Sequence, residues 1–188
     1  MKTDIILCGG GVRLRQITLQ DCNETYVQWL NDPEVIKYLE TRWYRQDLDT
    51  IKAFVQSQLD NDHSVLFAIE TEETKRHIGN IKIGPINRHH KHADISYFIG
   101  DKSYWRKGIS TKAIHLVCQY GFKNLSLHRI EAGAYSAAIG SWKALQKNGF
   151  KREAVFREQV ISGDCYMDIY RYGLLESEYQ YFIENGGK

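Results

Sequence analysis

Proline and cysteine are scarce: two and four residues respectively in a chain of 188. Nothing in the sequence reads as a linker, an internal repeat or a low-complexity segment. The cysteines (Cys8, Cys22, Cys118, Cys165) are widely spaced and form no C-x-x-C pair. That excludes a metal knuckle or a dithiol motif and points to free thiols in a reducing compartment. Long apolar runs are missing as well. Ile5-Ile6-Leu7-Cys8 is too short for a signal-peptide core, and nothing later reaches membrane-spanning length. A cytoplasmic protein with no membrane partner is expected. Charge of one sign is also lacking, with 25 Lys and Arg against 23 Asp and Glu scattered along the chain. No broad basic face for nucleic acid is implied, so any bound anion is small and held locally. The length suits one domain over 1–188, with 1–11, ending in Gly9-Gly10-Gly11, as a flexible lead.

Hydrophobic periodicity gives the order of elements. Val12 to Ile17 alternates as a half-buried strand. Thr18 to Asp21 reads as a capping box opening a helix that carries Tyr26, Trp29 and Leu30. Asp32-Pro33 starts a second short helix running to about Leu39. Leu48, Ile51, Phe54, Val55 and Leu59 share one face of a third. From His63 the period changes to two, with Val65/Phe67/Ile69, Ile81/Ile83 and Ile95/Tyr97/Ile99 marking an antiparallel meander. A helix through Ile114 to Phe122, a strand to Tyr135, a helix from Ser141 stopped at Asn148-Gly149, and two final strands follow. Such an order disfavours a doubly wound parallel sheet. It fits an α+β (mixed α/β) fold, a largely antiparallel sheet with helices on both faces.

One stretch invites a chemical reading: Tyr104-Trp105-Arg106-Lys107-Gly108-Ile109-Ser110-Thr111, between a strand and a helix. The first amides of a helix have no partner inside it, and the helix dipole makes that end partly positive. Phosphate oxygens are favoured guests there, and glycine allows close backbone approach. The G-x-x-x-x-G-K-[ST] spacing of a nucleotide P-loop is absent. His89-His90-Lys91-His92 has no carboxylate or thiol at ligand spacing and reads as an exposed turn, so no metal is expected. The Tyr-rich tail, from Tyr166 to Tyr181, reads as packing for the last strand and C-terminal segment.

In this setting Trp105 to Ser110 resembles the [QR]-x-x-G-x-[GA] loop of the GNAT N-acetyltransferase superfamily, and Trp105 to Thr111 the W-G-K-G-x-[AG]-T of its RimJ/RimL-like branch. Asn31-Asp32-Pro33-Glu34-Val35, His77-Ile78-Gly79-Asn80-Ile81 and Ser141 to Phe150 are similar to further motifs of that branch, in the same order. Arg106, Ser110 and Lys112 depart from the usual residues without removing backbone donors.

The resemblance implies a sheet of about seven strands and acetyl transfer from acetyl-CoA to a primary amine in a ternary complex. It implies that pantetheine lies along Tyr97, Phe98 and Ile99, one of whose amides polarises the thioester carbonyl. Trp105, Arg106, Lys107, Gly108, Ile109, Ser110 and Thr111 then form the pyrophosphate turn. Glu40 and Arg42 fall where the acceptor binds, and Asp94 is a candidate base. The family's usual thiolate-protonating Tyr is Leu145 here and its Asn is Ala138; the resemblance makes Ser141 a candidate acid and Tyr135 a second one, and a thiolate protonated by solvent alone needs neither. Ser141 has a second reading, as the cap of its helix. The acceptor is a small molecule or a peptide amine, with a nucleotide-linked amino sugar ahead of a protein N-terminus; a non-catalytic acyl-CoA sensor is the competing class. A monomer or homodimer fits.

Overall fold

The computed structural model describes residues 5–184 and 186, and residues 1–4, the outer part of the expected lead, lie outside them. Eight strands form one sheet in the order β1-β2-β3-β4-β5-β6-β8-β7. They are β1 (Ile6–Gly9), β2 (Val12–Gln16), β3 (Val65–Thr71), β4 (His77–Asn87), β5 (His92–Ile99), β6 (Arg129–Tyr135), β7 (Lys151–Ser162) and β8 (Cys165–Leu175). Helices α1 (Glu24–Asn31), α2 (Pro33–Ile36) and α3 (Leu48–Asp60) precede β3. α4 (Ile109–Lys123) joins β5 to β6, α5 (Ile139–Gln146) joins β6 to β7, and α6 (Glu176–Glu184) follows β8. Neighbouring strands are antiparallel except β5 and β6, whose crossover through α4 makes them parallel. No helix of the described residues is long and apolar enough to cross a membrane.

The sheet is apolar on both faces, and β5 shows why. Ala93, Ile95 and Ile99 join Ile114 and Val117 of α4 in one core. Phe98, with the opposite parity, packs among Tyr26, Trp29, Val55 and Leu66 in a second core under α1 and α3. The alternation read from the sequence thus assigns each side chain to its layer.

Several boundaries differ from expectation. Part of the expected flexible lead is β1, paired with β2 from Ile6↔Arg15 to Gly9↔Val12. Gly10 and Gly11 both have positive φ, 63° and 83°, which is what a two-residue hairpin turn demands. α2 ends at Ile36, before the expected Leu39. The Thr18–Asp21 capping box is present, but it closes a 3-10 turn, and α1 begins later with Asn23 as its cap. The reason lies in Asp21, whose carboxylate accepts from both terminal guanidinium nitrogens of Arg15 (2.8 and 2.5 Å) and from the Thr18 amide (2.7 Å).

Burial alone would raise the Asp21 pKa, but Arg15 and the Thr18 amide outweigh it and hold the carboxyl below its ordinary value. A depressed carboxyl stabilises the fold above its unfolded pKa, about 4, and loses that contribution as pH falls through the folded value. Asp21→Asn is therefore expected to cost about 2 kcal/mol at pH 7. The gap from wild type should narrow below about pH 4. Thermal denaturation at pH 7 and pH 3.5 reads both; a gap independent of pH would contradict the ion-pair account.

Candidate active site

β5 and β6 are paired only from His92↔Arg129 to Ile95↔Ala132. Beyond that rung β5 continues through Ser96 to Ile99 bonded to β4, while β6 continues through Gly133 to Tyr135 bonded to β8. The sheet thus opens into a wedge at the C-terminal ends of two parallel strands. The Gly100 amide donates to Ile78 O on the β4 side (2.9 Å). Because backbone direction alternates, the amides of Ile99 and Tyr97 face the wedge and that of Phe98 faces β4. Tyr97 and Ile99 can therefore bond an extended polar chain laid in the opening; Phe98 contributes its ring to the second core.

The start of α4 sits at the mouth. Trp105 Nε1 donates to Ile99 O (2.9 Å), which ties the turn to the end of β5. Asp101 caps a 3-10 turn over Lys102–Tyr104. Lys102 Nζ reaches Asp32 (2.7 Å) and Glu34 (2.6 Å), so the Asp32-Pro33-Glu34 sequence anchors the same loop from the other side. Arg106 and Gly108 both have positive φ, 61° and 74°. Gly108 is the N-cap of α4 and supplies no side-chain acceptor, so the first amides of the helix receive no hydrogen bond from the cap. A Cβ built on Gly108 meets no protein atom within 4 Å. Arg106 and Lys107 are exposed at this edge, Ile109 is buried in the core, and Ser110 and Thr111 are half-buried in the first turn. The turn is an open cradle of amides flanked by cations, suited to a pyrophosphate.

Two side-chain pairs lie by the wedge. On the α4 side the Tyr97 hydroxyl lies 3.0 Å from Ser141 O and 2.8 Å from Ser141 Oγ. Ser141 is not the helix cap: α5 starts after Ala138, and Ser141 lies one turn in, with its hydroxyl free to meet Tyr97. Leu145 is fully buried in the core. On the opposite side the Tyr135 phenol donates to Glu40 Oε1. Its pKa is raised, by burial first and by the Glu40 carboxylate second. The Tyr38 ring lies 5.7 Å from that of Tyr135. Arg42 stacks on the Trp43 and Tyr135 rings (4.5 and 4.9 Å) and donates to Lys37 O (2.8 Å) and Ile161 O (2.7 Å). It straps the segment after α2 to the β7–β8 hairpin.

Asp94 stands apart from both pairs. It lies four residues before Phe98, roughly 13 Å along the strand, beside the closed end of the wedge. Its carboxylate accepts from Arg171 (2.9 Å), which also contacts Glu131 (3.2 Å). Burial raises the Asp94 pKa and Arg171 opposes the shift. His89 and His90 are exposed in the β4–β5 turn. Of the tail tyrosines, Tyr172 and Tyr179 are buried, while Tyr166 and Tyr181 are 67% and 69% exposed. The sequence reading missed the Tyr97 hydroxyl, assigned there to backbone contacts alone, and it missed Tyr38 and Arg171. The parity of Tyr97 with Ile95 was the one available signal.

Comparison with known proteins gives the family and the fold. The acetyltransferase (GNAT) domain family matches residues 12–151. An uncharacterized N-acetyltransferase, p20, of Bacillus licheniformis is 31% identical over 171 residues, 88% of this chain and 93% of that protein. Among solved structures, spermidine N-acetyltransferase from Vibrio cholerae, in complex with CoA and spermine, superimposes with a TM-score of 0.82 at 21% identity, covering 92% of this chain and 99% of that one. Mycobacterium smegmatis RimJ, in complex with CoA-disulfide, gives 0.78 at 17% identity, covering 94% and 90%. The chain belongs to the GNAT acetyltransferase family and is an N-acetyltransferase.

Proposed function

We propose that this N-acetyltransferase takes its acetyl group from acetyl-CoA and delivers it to a small primary amine in a ternary complex, with a nucleotide-linked amino sugar as the first acceptor to test. The observation that carries this reading is the wedge after Ile95↔Ala132 ending under the uncapped start of α4 at Gly108. Bound acetyl-CoA supplies an activated thioester. The chain holds its pyrophosphate on the amides from Arg106 to Ser110 and its pantetheine arm on Tyr97 and Ile99. One of these two amides polarises the carbonyl as negative charge develops on oxygen, and the other holds the arm.

The acceptor enters on the Glu40 side. A primary alkyl amine is protonated at neutral pH, with a pKa of about 10, so it arrives as a cation and must lose a proton before attack. Glu40, held by Tyr135, receives the ammonium group among the Tyr38 and Tyr135 rings, the proton it sheds passes through water to solvent, and the exposed Trp43 ring beside Arg42 offers a platform for a sugar. Asp94, already engaged by Arg171, maintains that face of the sheet. Ser141 donates to the departing sulfur. The Asn31–Val35 and Trp105–Thr111 motifs favour the RimJ/RimL-like branch, and the Asp32–Glu34 grip on Lys102 gives the first of them a structural purpose.

The test is thiol release from acetyl-CoA with nucleotide-linked and free amino sugars, polyamines and peptides with free N-termini. Turnover is expected with a small amine and none without acceptor. Turnover confined to peptides would move the acceptor assignment to a protein N-terminus. Acetyl-CoA binding without turnover on any amine would make the chain an acyl-CoA-binding module, and no binding at all would falsify the central assignment.

A further inference from the structure

Tyr97 belongs to β5 and Ser141 to α5, which follows β6. The bond between their hydroxyls therefore ties one edge of the wedge, β5, to the helix that follows the other edge, β6, across 44 residues of sequence. The Tyr97 ring packs against the α4-side core, and burial holds its hydroxyl above the ordinary phenol pKa. A phenol kept neutral has a single proton to give. Two acceptors lie within reach, Ser141 O at 3.0 Å and Ser141 Oγ at 2.8 Å.

These two acceptors define two arrangements. With the phenol O–H directed at the carbonyl oxygen, the Tyr97 oxygen is open to accept a hydrogen bond from the Ser141 hydroxyl. With the phenol proton on Oγ, one Ser141 lone pair is occupied and its proton is free to point elsewhere. In the second arrangement the Ser141 proton cannot be spent on Tyr97 and is left for a leaving group. Rotation of one phenolic O–H interconverts them, because both acceptors sit on the same residue. The hydroxyl of a lone serine has three rotor positions; Tyr97 restricts them.

We infer that Tyr97 is a positioning residue, whose phenol sets the direction of the Ser141 hydroxyl toward the departing sulfur. The inference rests on the assignment of Ser141 as leaving-group donor. When the new C–N bond forms and the C–S bond breaks, the nitrogen sheds its extra proton to water and the electron pair of the broken bond remains on sulfur. Ser141 Oγ–H donates a hydrogen bond to that charge, and the Tyr97 O–H on Oγ reinforces the donor. A buried tyrosinate is disfavoured, so no proton passes through Tyr97, and the sulfur takes its final proton from solvent. Leu145, at the position of the family's usual tyrosine, carries no proton to compete with this arrangement.

The test is a mutant cycle of Tyr97→Phe, Ser141→Ala and the double variant, reading kcat, acetyl-CoA Kd and Tm with an acceptor that turns over. Ser141→Ala is expected to lower kcat about tenfold, the worth of one good donor. Tyr97→Phe should lower it about fivefold with Kd within about twofold of wild type, and the double variant should match Ser141→Ala alone. Wild-type kcat in Ser141→Ala would remove the donor assignment itself. A slow Ser141→Ala beside an unimpaired Tyr97→Phe, or losses that multiply in the double variant, would overturn the positioning role while leaving the donor intact. A Tyr97→Phe protein with weakened acetyl-CoA binding and unchanged kcat would likewise reduce Tyr97 to a packing residue.

Discussion

Gly108→Ala is expected to weaken acetyl-CoA binding by between ten- and a hundredfold in a protein that still folds. The two effects separate because they have different physical origins. Gly108 has φ 74° and ψ 11°, the left-handed region, where an L side chain costs roughly 1–2 kcal/mol. For a chain of this size that lowers Tm by about 2–8 °C. The binding loss comes from space. The added methyl meets no protein atom within 4 Å, so in the free protein it projects into solvent; in the complex it stands in the open volume before the first amides of α4. An amide bond to a charged oxygen contributes about 1.5–3 kcal/mol, and one such bond lost is roughly ten- to a hundredfold in Kd. Calorimetric titration with acetyl-CoA, alongside a melting curve, distinguishes the effects. Unchanged affinity in folded Gly108→Ala would place the pyrophosphate away from this helix start.

How far the sequence leads is set by the range of the interactions involved. Strand parity was legible in β5, because Ala93, Ile95 and Ile99 repeat every second residue toward one core. The helix-start turn was legible because glycine, cations and the switch from period two to period 3.6 all fall within one octapeptide. Side-chain pairs that make the site chemical were not. Tyr97 meets Ser141 across 44 residues, Arg171 meets Asp94 across 77, and Tyr135 meets Glu40 across 95. No local pattern encodes such pairs; they follow from the order of strands. Asp94 illustrates the consequence. Its parity was read correctly, but its ion pair with β8 depends on β8 lying beside β6. β1 was missed for a different reason: three glycines suggest flexibility, yet two of them in the left-handed region make a tight turn, and pairing with β2 gave the preceding Ile6–Gly9 a place. The missing cap on α5 is similar. Ser141 looked like a cap by composition, whereas the chain enters the helix at Ala138, three residues earlier.

Gly79→Ala is expected to destabilise the protein by about 3 kcal/mol or more, and to weaken acetyl-CoA binding although Gly79 lies outside the wedge. A Cβ on Gly79 would stand 2.3 Å from Phe98 O and 2.9 Å from Ile99 Cα. Both neighbours are backbone, so no side-chain rotation relieves the overlap. β4 and β5 are in register there, Gly79 opposite Ile99 and Asn80 opposite Phe98. Relief requires β5 to shift away from β4, and the only open side is the wedge. Such a shift moves the Ile99 amide and also Ile99 O, the acceptor that holds Trp105 Nε1 and with it the turn before α4. Tm should fall by roughly 6–12 °C. Gly140→Ala is the matched control. That glycine lies in α5, its Cβ would meet nothing within 4 Å, and alanine there should be neutral or stabilise by up to about 1 kcal/mol. Wild-type Tm in Gly79→Ala would contradict the close approach of the two strands. A low Tm with acetyl-CoA affinity intact, measured well below the transition, would show that the end of β5 can move without disturbing the cradle. The expected result is that both fall together, because one strand end carries the wedge amide and the anchor of the anion turn.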